Sequence, residues 1–305
     1  MAASSLFSDP RRMRSYLFRL PLATRGILGL LFAFYIAKIF RPSIIQWGAL
    51  IPNEINFQTL ATANDSGEKS RQTTFYPHSN SLTIIYLTTV YRLNTYPLLH
   101  ASIFHLLLNT LALTPLIERF EAEHGTIVTF LLFTGPFGLL PGGLYTILER
   151  FIFRLNSSAV GSSVWVFLLL ANEGMKTYRA NPYFEIQGVR IPTWTSPLAL
   201  ALAMHFLIPQ TSLLGHLCGL SVGYLWGLGY IRFLAPPDKI LRWIEGKLNL
   251  LGRLPHYVSV DQKTYGRYGV LPSASDSARA GPGRGTLGTA EGILGTGPNG
   301  RTLGS

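Results

Sequence analysis

Charged side chains are scarce in this chain of 305 residues: Asp, Glu, Lys and Arg make up 13% of it, against 48% hydrophobic residues. A soluble globular protein carries about a quarter charged residues, so this composition excludes an ordinary water-exposed domain and points to a membrane. Acidic residues are the rarer sign, 15 against 26 Lys and Arg, giving a formal net charge of +11. That excess does not make a nucleic-acid binder, because the basic residues gather in the two tails and in short connections between apolar blocks, with no nucleic-acid motif beside them. Cysteine is nearly absent: Cys218 alone cannot form an internal disulfide, and inside an apolar block it reads as a small packing residue. Neither an inverted repeat nor an intramembrane acidic ion site is visible, which weighs against a transporter. No small-residue cleavage site follows the first apolar block, so that block is expected to be a retained span rather than a removed signal peptide.

What the chain does have is apolar blocks, near residues 24 to 41, 97 to 117, 126 to 148, 161 to 175, 194 to 208 and 211 to 234, each bounded by charge, Pro or Gly. The simplest reading is an all-α membrane protein, a bundle of six transmembrane helices. The blocks 161 to 175 and 194 to 208 are shorter than the roughly 20 residues that cross a bilayer unaided, and suit a bundle interior. Arg11, Arg12, Arg14 and Arg19 precede the first block, Lys176, Arg179 and Arg190 follow the fourth, and Lys239, Arg242 and Lys247 follow the sixth. Six spans put all three groups on one side, so both termini are expected in the cytosol.

Four regions result: a cytosolic tail over 1–23, a six-span core over 24–234, a juxtamembrane segment over 235–271, and a Gly/Ser-rich tail over 272–305 expected to be disordered. In the third, Ile240, Leu241, Ile244, Leu248 and Leu251 share one side of a helix that suits either a membrane surface or ordinary solvation. The connection from 42 to 92 carries Asn64-Asp65-Ser66, a glycosylation acceptor if that face is lumenal; Asn156-Ser157-Ser158 fits the same pattern but lies too close to the membrane.

Polar residues inside the apolar blocks carry the chemistry. Ionisable groups in a bilayer are expensive, so Ser163 in Gly161-Ser162-Ser163 and His216 in Gly215-His216-Leu217-Cys218-Gly219 mark a candidate functional site. A serine hydroxyl is a weak nucleophile until a base takes its proton, and histidine is the usual base. Ser163 and His216 lie near the entry ends of the fourth and sixth blocks, which both run inward from the non-cytosolic side in this topology. Gly215, Gly219, Gly223 and Gly227 recur every four residues and leave a stripe along which another helix can approach closely. His105 and Asn109, four apart in the second block, offer donors to a developing oxyanion, with His100 five residues earlier. The duller readings are a serine bonded back to its own helix, a polar clamp between helices and glycines used only for packing; their joint occurrence in one small bundle favours the site.

These residues resemble the rhomboid intramembrane serine proteases, and among them the fungal Golgi type with six spans and a long cytosolic tail. The resemblance covers residues 24 to 234 and rests on Tyr91-Arg92, on His105-Leu106-Leu107-Leu108-Asn109 as HxxxN, on Gly161-Ser162-Ser163 as the start of GxSG, and on Gly215-His216 with Gly219 and Gly223. It implies a serine endopeptidase cleaving single-span membrane proteins near their lumenal ends through a Ser163–His216 dyad. His105, Asn109 and the Ser163 N–H would hold the oxyanion, with neither metal nor nucleotide cofactor. It also implies a Golgi membrane, the cis-Golgi among its compartments, and a membrane-tethered transcription factor precursor as substrate. The alternative is a catalytically silent relative that binds clients in membrane protein quality control; such proteins lack the Ser-His pair, which this chain keeps. Three departures stand out: Val164 replaces the glycine after the nucleophile, which would crowd the turn if the backbone there needed a positive φ; Phe167 stands where many relatives carry Tyr stacked on the histidine, keeping the ring and losing the hydroxyl; and Tyr91 replaces Trp, keeping an amphipathic aromatic at the interface. Glu118-Arg119 sits where the family has an acidic and basic cytosolic turn. In the tail, the run from Gly295 to Gly304 resembles a segment that recruits the valosin-type AAA unfoldase but lacks the usual aromatic, so a flexible tail is preferred.

Overall fold

The computed structural model describes residue 16 and residues 18–55, 89–208 and 211–263. Asn64-Asp65-Ser66, most of the tail over 1–23 and the whole Gly/Ser-rich tail lie outside the described residues.

Every apolar block folds as helix, because in a bilayer only a helix satisfies the backbone within the segment itself. In chain order the helices are α1 (Leu22–Phe40), α2 (Ile44–Gly48), α3 (Arg92–Thr95), α4 (Ile103–His124), α5 (Thr126–Phe133), α6 (Pro136–Ile147), α7 (Ser163–Ala180), α8 (Ser196–Leu207), α9 (Leu213–Leu228), α10 (Asp238–Leu248) and α11 (Leu250–Arg253). The third block breaks at Thr134 and Gly135 before Pro136 restarts it, and it ends in a wider π-helical stretch over Leu148–Phe153. Two helical stretches, Leu22–Phe40 and Thr126–Phe153, are long and apolar enough to cross a membrane by themselves among the described residues, and four if each of two bent pairs counts as one span. Charges in the second half of α7 and the 12-residue length of α8 keep those two below that standard.

The apolar block and the helix do not always end together. The second block was expected to stop near residue 117, yet α4 runs to His124. The reason is that its last charged residues find partners inside the protein. Glu121, fully buried, accepts hydrogen bonds from the backbone N–H groups of Ala23 and Thr24 at 2.8 and 2.7 Å, and from the hydroxyls of Thr24 and Thr126 at 2.7 Å each. One carboxylate thus caps the start of α1, where unpaired N–H groups and the positive end of the helix dipole both favour an anion. Glu123 pairs with Lys176 on α7, and Lys176 also reaches Glu173 at 2.6 Å. Glu118 lies within the helix rather than in a turn, and accepts from the Tyr16 hydroxyl at 2.7 Å.

The glycine stripe puts α9 against α7. A Cβ on Gly219 would lie 2.5 Å from the Val164 carbonyl oxygen, one on Gly223 2.0 Å from that of Leu168, and one on Gly227 2.9 Å from Met175 Cβ. Those distances mean backbone-to-backbone contact over two helical turns, the geometry that small residues make available. Gly215 is not part of the contact: its N–H donates to the hydroxyl of Ser212, which caps α9. Around this pair Phe120, Phe133, Phe137, Trp165 and Trp226 pack edge to face at the centre of the core.

Two features went unanticipated. An antiparallel hairpin, β1 (Tyr183–Ile186) and β2 (Val189–Pro192), occupies the connection between α7 and α8, turning at Gln187 and Gly188, both with positive φ. Beyond α10, the segment from His256 to Lys263 folds back over the end of the bundle: Leu22 N–H donates to His256 O at 3.0 Å, Thr126 N–H to Val258 O at 2.9 Å, and Val258 N–H to the Thr126 hydroxyl at 2.8 Å. Tyr257 and Val260 are buried there, and so is Leu241 of α10, so that helix is neither wholly on a lipid surface nor simply solvated.

Candidate active site

Three contacts set the site by tying helix ends to the stretch that precedes α4. Ser102 caps α4 by accepting from the His105 N–H at 3.1 Å, which fixes where His105 and Asn109 begin. Lys38, at the end of α1, donates to the carbonyls of His100 and Ala101 just before that cap. Gly161 N–H donates to Tyr96 O at 2.9 Å, docking the start of α7 onto the same region. Tyr91-Arg92 holds the far side of the loop: Tyr91 stacks on Trp47 at 4.7 Å, while Arg92 donates to the carbonyls of Gln46 and Ala49 at 2.8 Å and pairs with Glu54. The aromatic at position 91 therefore works by stacking and, as Tyr, adds a hydroxyl that donates to Trp47 O at 2.7 Å.

Gly161 carries the site's positive φ, +121°, and a Cβ there would lie 2.7 Å from the His105 ring and 3.4 Å from Asn109 Nδ2. Both reasons demand glycine at this position. Val164, whose β-branch raised the question of backbone strain, lies inside α7 and has no positive φ, so the valine is accommodated without it.

The two adjacent serines separate cleanly. Ser162 is wholly buried, its hydroxyl 3.2 Å from His100 Nε2, and its N–H donates to the same nitrogen at 3.4 Å. Ser163 is partly exposed and lines a cavity of about 590 Å³, together with His105, Asn109, Phe167 and His216. Ser162 stands at the N-cap position of α7 but gives its hydroxyl to His100 rather than to the helix. The N–H groups of Trp165 and Val166 turn back to Ser162 O, whereas those of Ser163 and Val164 have no protein partner among the described residues. The helix start therefore presents donors and the positive end of its dipole beside the Ser163 hydroxyl, which suits a developing oxyanion.

His216 is buried in the first turn of α9, its ring 4.3 Å from that of Phe167. The ring contact expected of an aromatic at position 167 is present without a hydroxyl. No hydrogen bond joins Ser163 to His216 among the described residues, and His216 Nδ1 and Asn109 Nδ2 are buried without a protein partner. Catalytic hydrogen bonds commonly tighten only when substrate is bound. All four residues singled out in the sequence, Ser163, His216, His105 and Asn109, thus face one cavity between α4, α7, α8 and α9. The His100–Ser162 pair was missed, since nothing local links residues 62 positions apart. Among the described residues no three His, Cys, Asp or Glu side chains gather as metal ligands.

This arrangement makes a prediction for the buried serine. Ser162→Ala should keep cleavage close to that of the unaltered protein while lowering thermal stability by about 1 kcal/mol, the worth of one buried hydrogen bond. Scanning fluorescence beside a cleavage assay checks both halves, and loss of activity in a variant that still folds would make Ser162 the reacting serine.

A family model described as the rhomboid domain matches residues 87–233. Rhomboid-type serine protease B of Aspergillus fumigatus is 51% identical over 268 residues, covering 88% of this chain and 88% of that protein. Rhomboid-type serine protease 2 of Neurospora crassa is 48% identical over 277 residues, covering 90% of each chain. The Saccharomyces cerevisiae protein of the same name is 36% identical over 167 residues, covering 53% of this chain and 63% of that one.

Proposed function

The chain belongs to the rhomboid family of intramembrane serine proteases, and on that premise we propose that Ser163 is its nucleophile and His216 its general base. The observation that carries the assignment is that both side chains line one cavity at the starts of two helices in backbone contact. A shared depth and a fixed separation follow from that contact, which is what a dyad needs.

In this mechanism Ser163 Oγ attacks the carbonyl carbon of a substrate peptide bond as His216 takes the hydroxyl proton. The oxyanion is met by the Ser163 N–H at the start of α7 and by His105 and Asn109. When the tetrahedral intermediate collapses, the C–N bond breaks and His216 returns its proton to the leaving amine. Water then attacks the acyl-enzyme, with His216 again as base, releasing the carboxylate and the serine. Phe167 packs on the His216 ring and restricts its orientation.

The same reading takes single-span membrane proteins as substrates, with a membrane-tethered transcription factor precursor as one such client. It gives the core six spans and two cytosolic termini, supported by the helical state of all six blocks and by the basic residues of their connections. A Golgi membrane, the cis-Golgi among its compartments, is the proposed location. The AAA unfoldase is a partner proposed on the tail sequence alone.

Purified protein in liposomes, given a reporter with one transmembrane helix and no added metal or nucleotide, is expected to cut it within or next to that helix. Mass spectrometry of the fragments locates the cut. Intact reporter after long incubation, across a panel of transmembrane sequences, would move weight to the client-binding alternative.

A further inference from the structure

At the end of the bundle away from the active site, α9 is followed by a sharp change of direction: the helical segments Leu213–Leu228 and Arg232–Leu248 meet at 89°. If α9 spans the bilayer, α10 lies parallel to its surface. Its two sides are built for different neighbours. One is occupied by the chain's own return segment. There Leu241 is 1% exposed, Glu245 accepts from the Tyr257 hydroxyl at 2.7 Å and the Val260 N–H at 3.0 Å, Arg242 pairs with Asp261 at 3.0 Å, and Lys263 pairs with Asp238 at 2.7 Å. The other side carries Ile240, 50% exposed, and Trp243, 63% exposed, with Lys247 Nζ 5.1 Å from the centre of the Trp243 ring.

We infer that α10 is a membrane-surface helix whose Ile240 and Trp243 enter the leaflet at that end of the bundle, and whose lysines bind anionic lipid headgroups. Two observations name lipid as the occupant. Exposed apolar residues follow one another along the chain from α9 into α10: Leu225 and Leu228 in the last turn of α9, then Tyr230 and Phe233, then Ile240 and Trp243. The charge is complementary as well. Between 232 and 253 there are five basic residues and two acidic ones, Asp238 and Glu245, and the return segment engages both acids. Lys239, Lys247 and Arg253 remain exposed, so cationic heads stand among the exposed apolar residues, Lys247 four residues from Trp243 on the same side. That is the pattern of an interfacial helix, with tryptophan at headgroup level and lysine stems snorkelling outward. The return segment acts as a splint, holding the apolar side toward the bilayer by ion pairs and hydrogen bonds on the opposite side.

Spin labels on the full chain in a Cys218→Ala background test this directly. Labels at Ile240→Cys and Trp243→Cys in phosphatidylcholine vesicles containing phosphatidylserine should be open to dissolved oxygen and shielded from a water-soluble nickel complex, at a depth of about 5–10 Å. A label at Asp261→Cys, 72% exposed on the return segment that covers the opposite side, should report the reverse. Removing phosphatidylserine should make the labels at 240 and 243 shallower, and Lys239→Gln with Lys247→Gln should abolish that dependence. Equal nickel access at 240, 243 and 261 would overturn the inference. So would shielding of 240 and 243 from both reagents, which would mean a protein covers the face. A depth indifferent to phosphatidylserine would overturn the role given to the lysines. None of these readings depends on cleavage, so a failure here and a failure of the Ser163–His216 assignment are distinguishable.

Discussion

Ser163→Ala is expected to lower the rate of reporter cleavage by about 10⁴-fold or more, and His216→Ala to do nearly the same. The two residues act as one unit: without the base the hydroxyl is a poor nucleophile, and without the hydroxyl the base has nothing to activate. The double variant should therefore be little worse than either single one, a non-additivity that separate contributions would not give. A residual rate above the uncatalysed one is expected from the donors around the oxyanion, which remain in both variants. Single-turnover cleavage in liposomes measures all three, and labelling with a fluorophosphonate probe provides a second readout. Ser163→Ala should lose the label entirely. Undiminished cleavage by either single variant would remove that residue from the dyad.

The second large effect concerns a position with no chemistry. Gly223→Ala places a methyl carbon 2.0 Å from the Leu168 carbonyl oxygen, and a backbone oxygen inside a helix cannot swing aside as a side chain can. The helices must separate, and the contact at Gly219 with Val164 must loosen with them. A destabilisation of about 3 kcal/mol or more is expected, at the upper end of what overpacking produces. Activity should fall further than stability alone accounts for, because Ser163 and His216 ride on the two helices being parted, and misplacement by about 1 Å is enough to lose two orders of magnitude. Gly26→Ala is the matched control. Nothing lies within 4 Å of its added carbon, and replacing a glycine inside a helix should gain about 0.5–1 kcal/mol. Thermal unfolding in detergent distinguishes them. If Gly223→Ala melts with the unaltered protein, the close approach of α7 and α9 is not what holds the bundle.

The site was legible in the sequence because its residues are unusual where they stand. A histidine in an apolar block, a serine after a glycine and glycines every four residues each break the rule of their surroundings, and the family resemblance joins them. The helices were legible as blocks for the same reason, since hydropathy reports what a bilayer tolerates. Their ends were not. The charges from Glu118-Arg119 onward read as the close of an apolar block, yet Glu121 is a buried cap for α1 and Glu123 a partner of Lys176, so the helix continues through them. Burial of a carboxylate depends on donors about a hundred residues away, which no local pattern contains. The same holds for His100 and Ser162, and for Val258 against Thr126. The hairpin at 183–192 turns on Gln187 with a positive φ, a conformation that a Gln-Gly pair only weakly signals. At Val164 the sequence raised a worry that the backbone dissolves, since Gly161 takes the left-handed turn instead.

The return segment also redraws the boundary of the folding unit. Hydropathy ends the core at residue 234, but Thr126 and Leu22 meet their backbone partners at Val258 and His256. The Glu121 carboxylate shares the Thr126 hydroxyl with that same segment. A chain cut just after α9 would keep every residue of the proposed dyad and leave the seam between the starts of α1 and α5 open. For anyone trimming this protease to a minimal catalytic fragment, the return segment through Lys263, some 30 positions past the final apolar block, has to be kept.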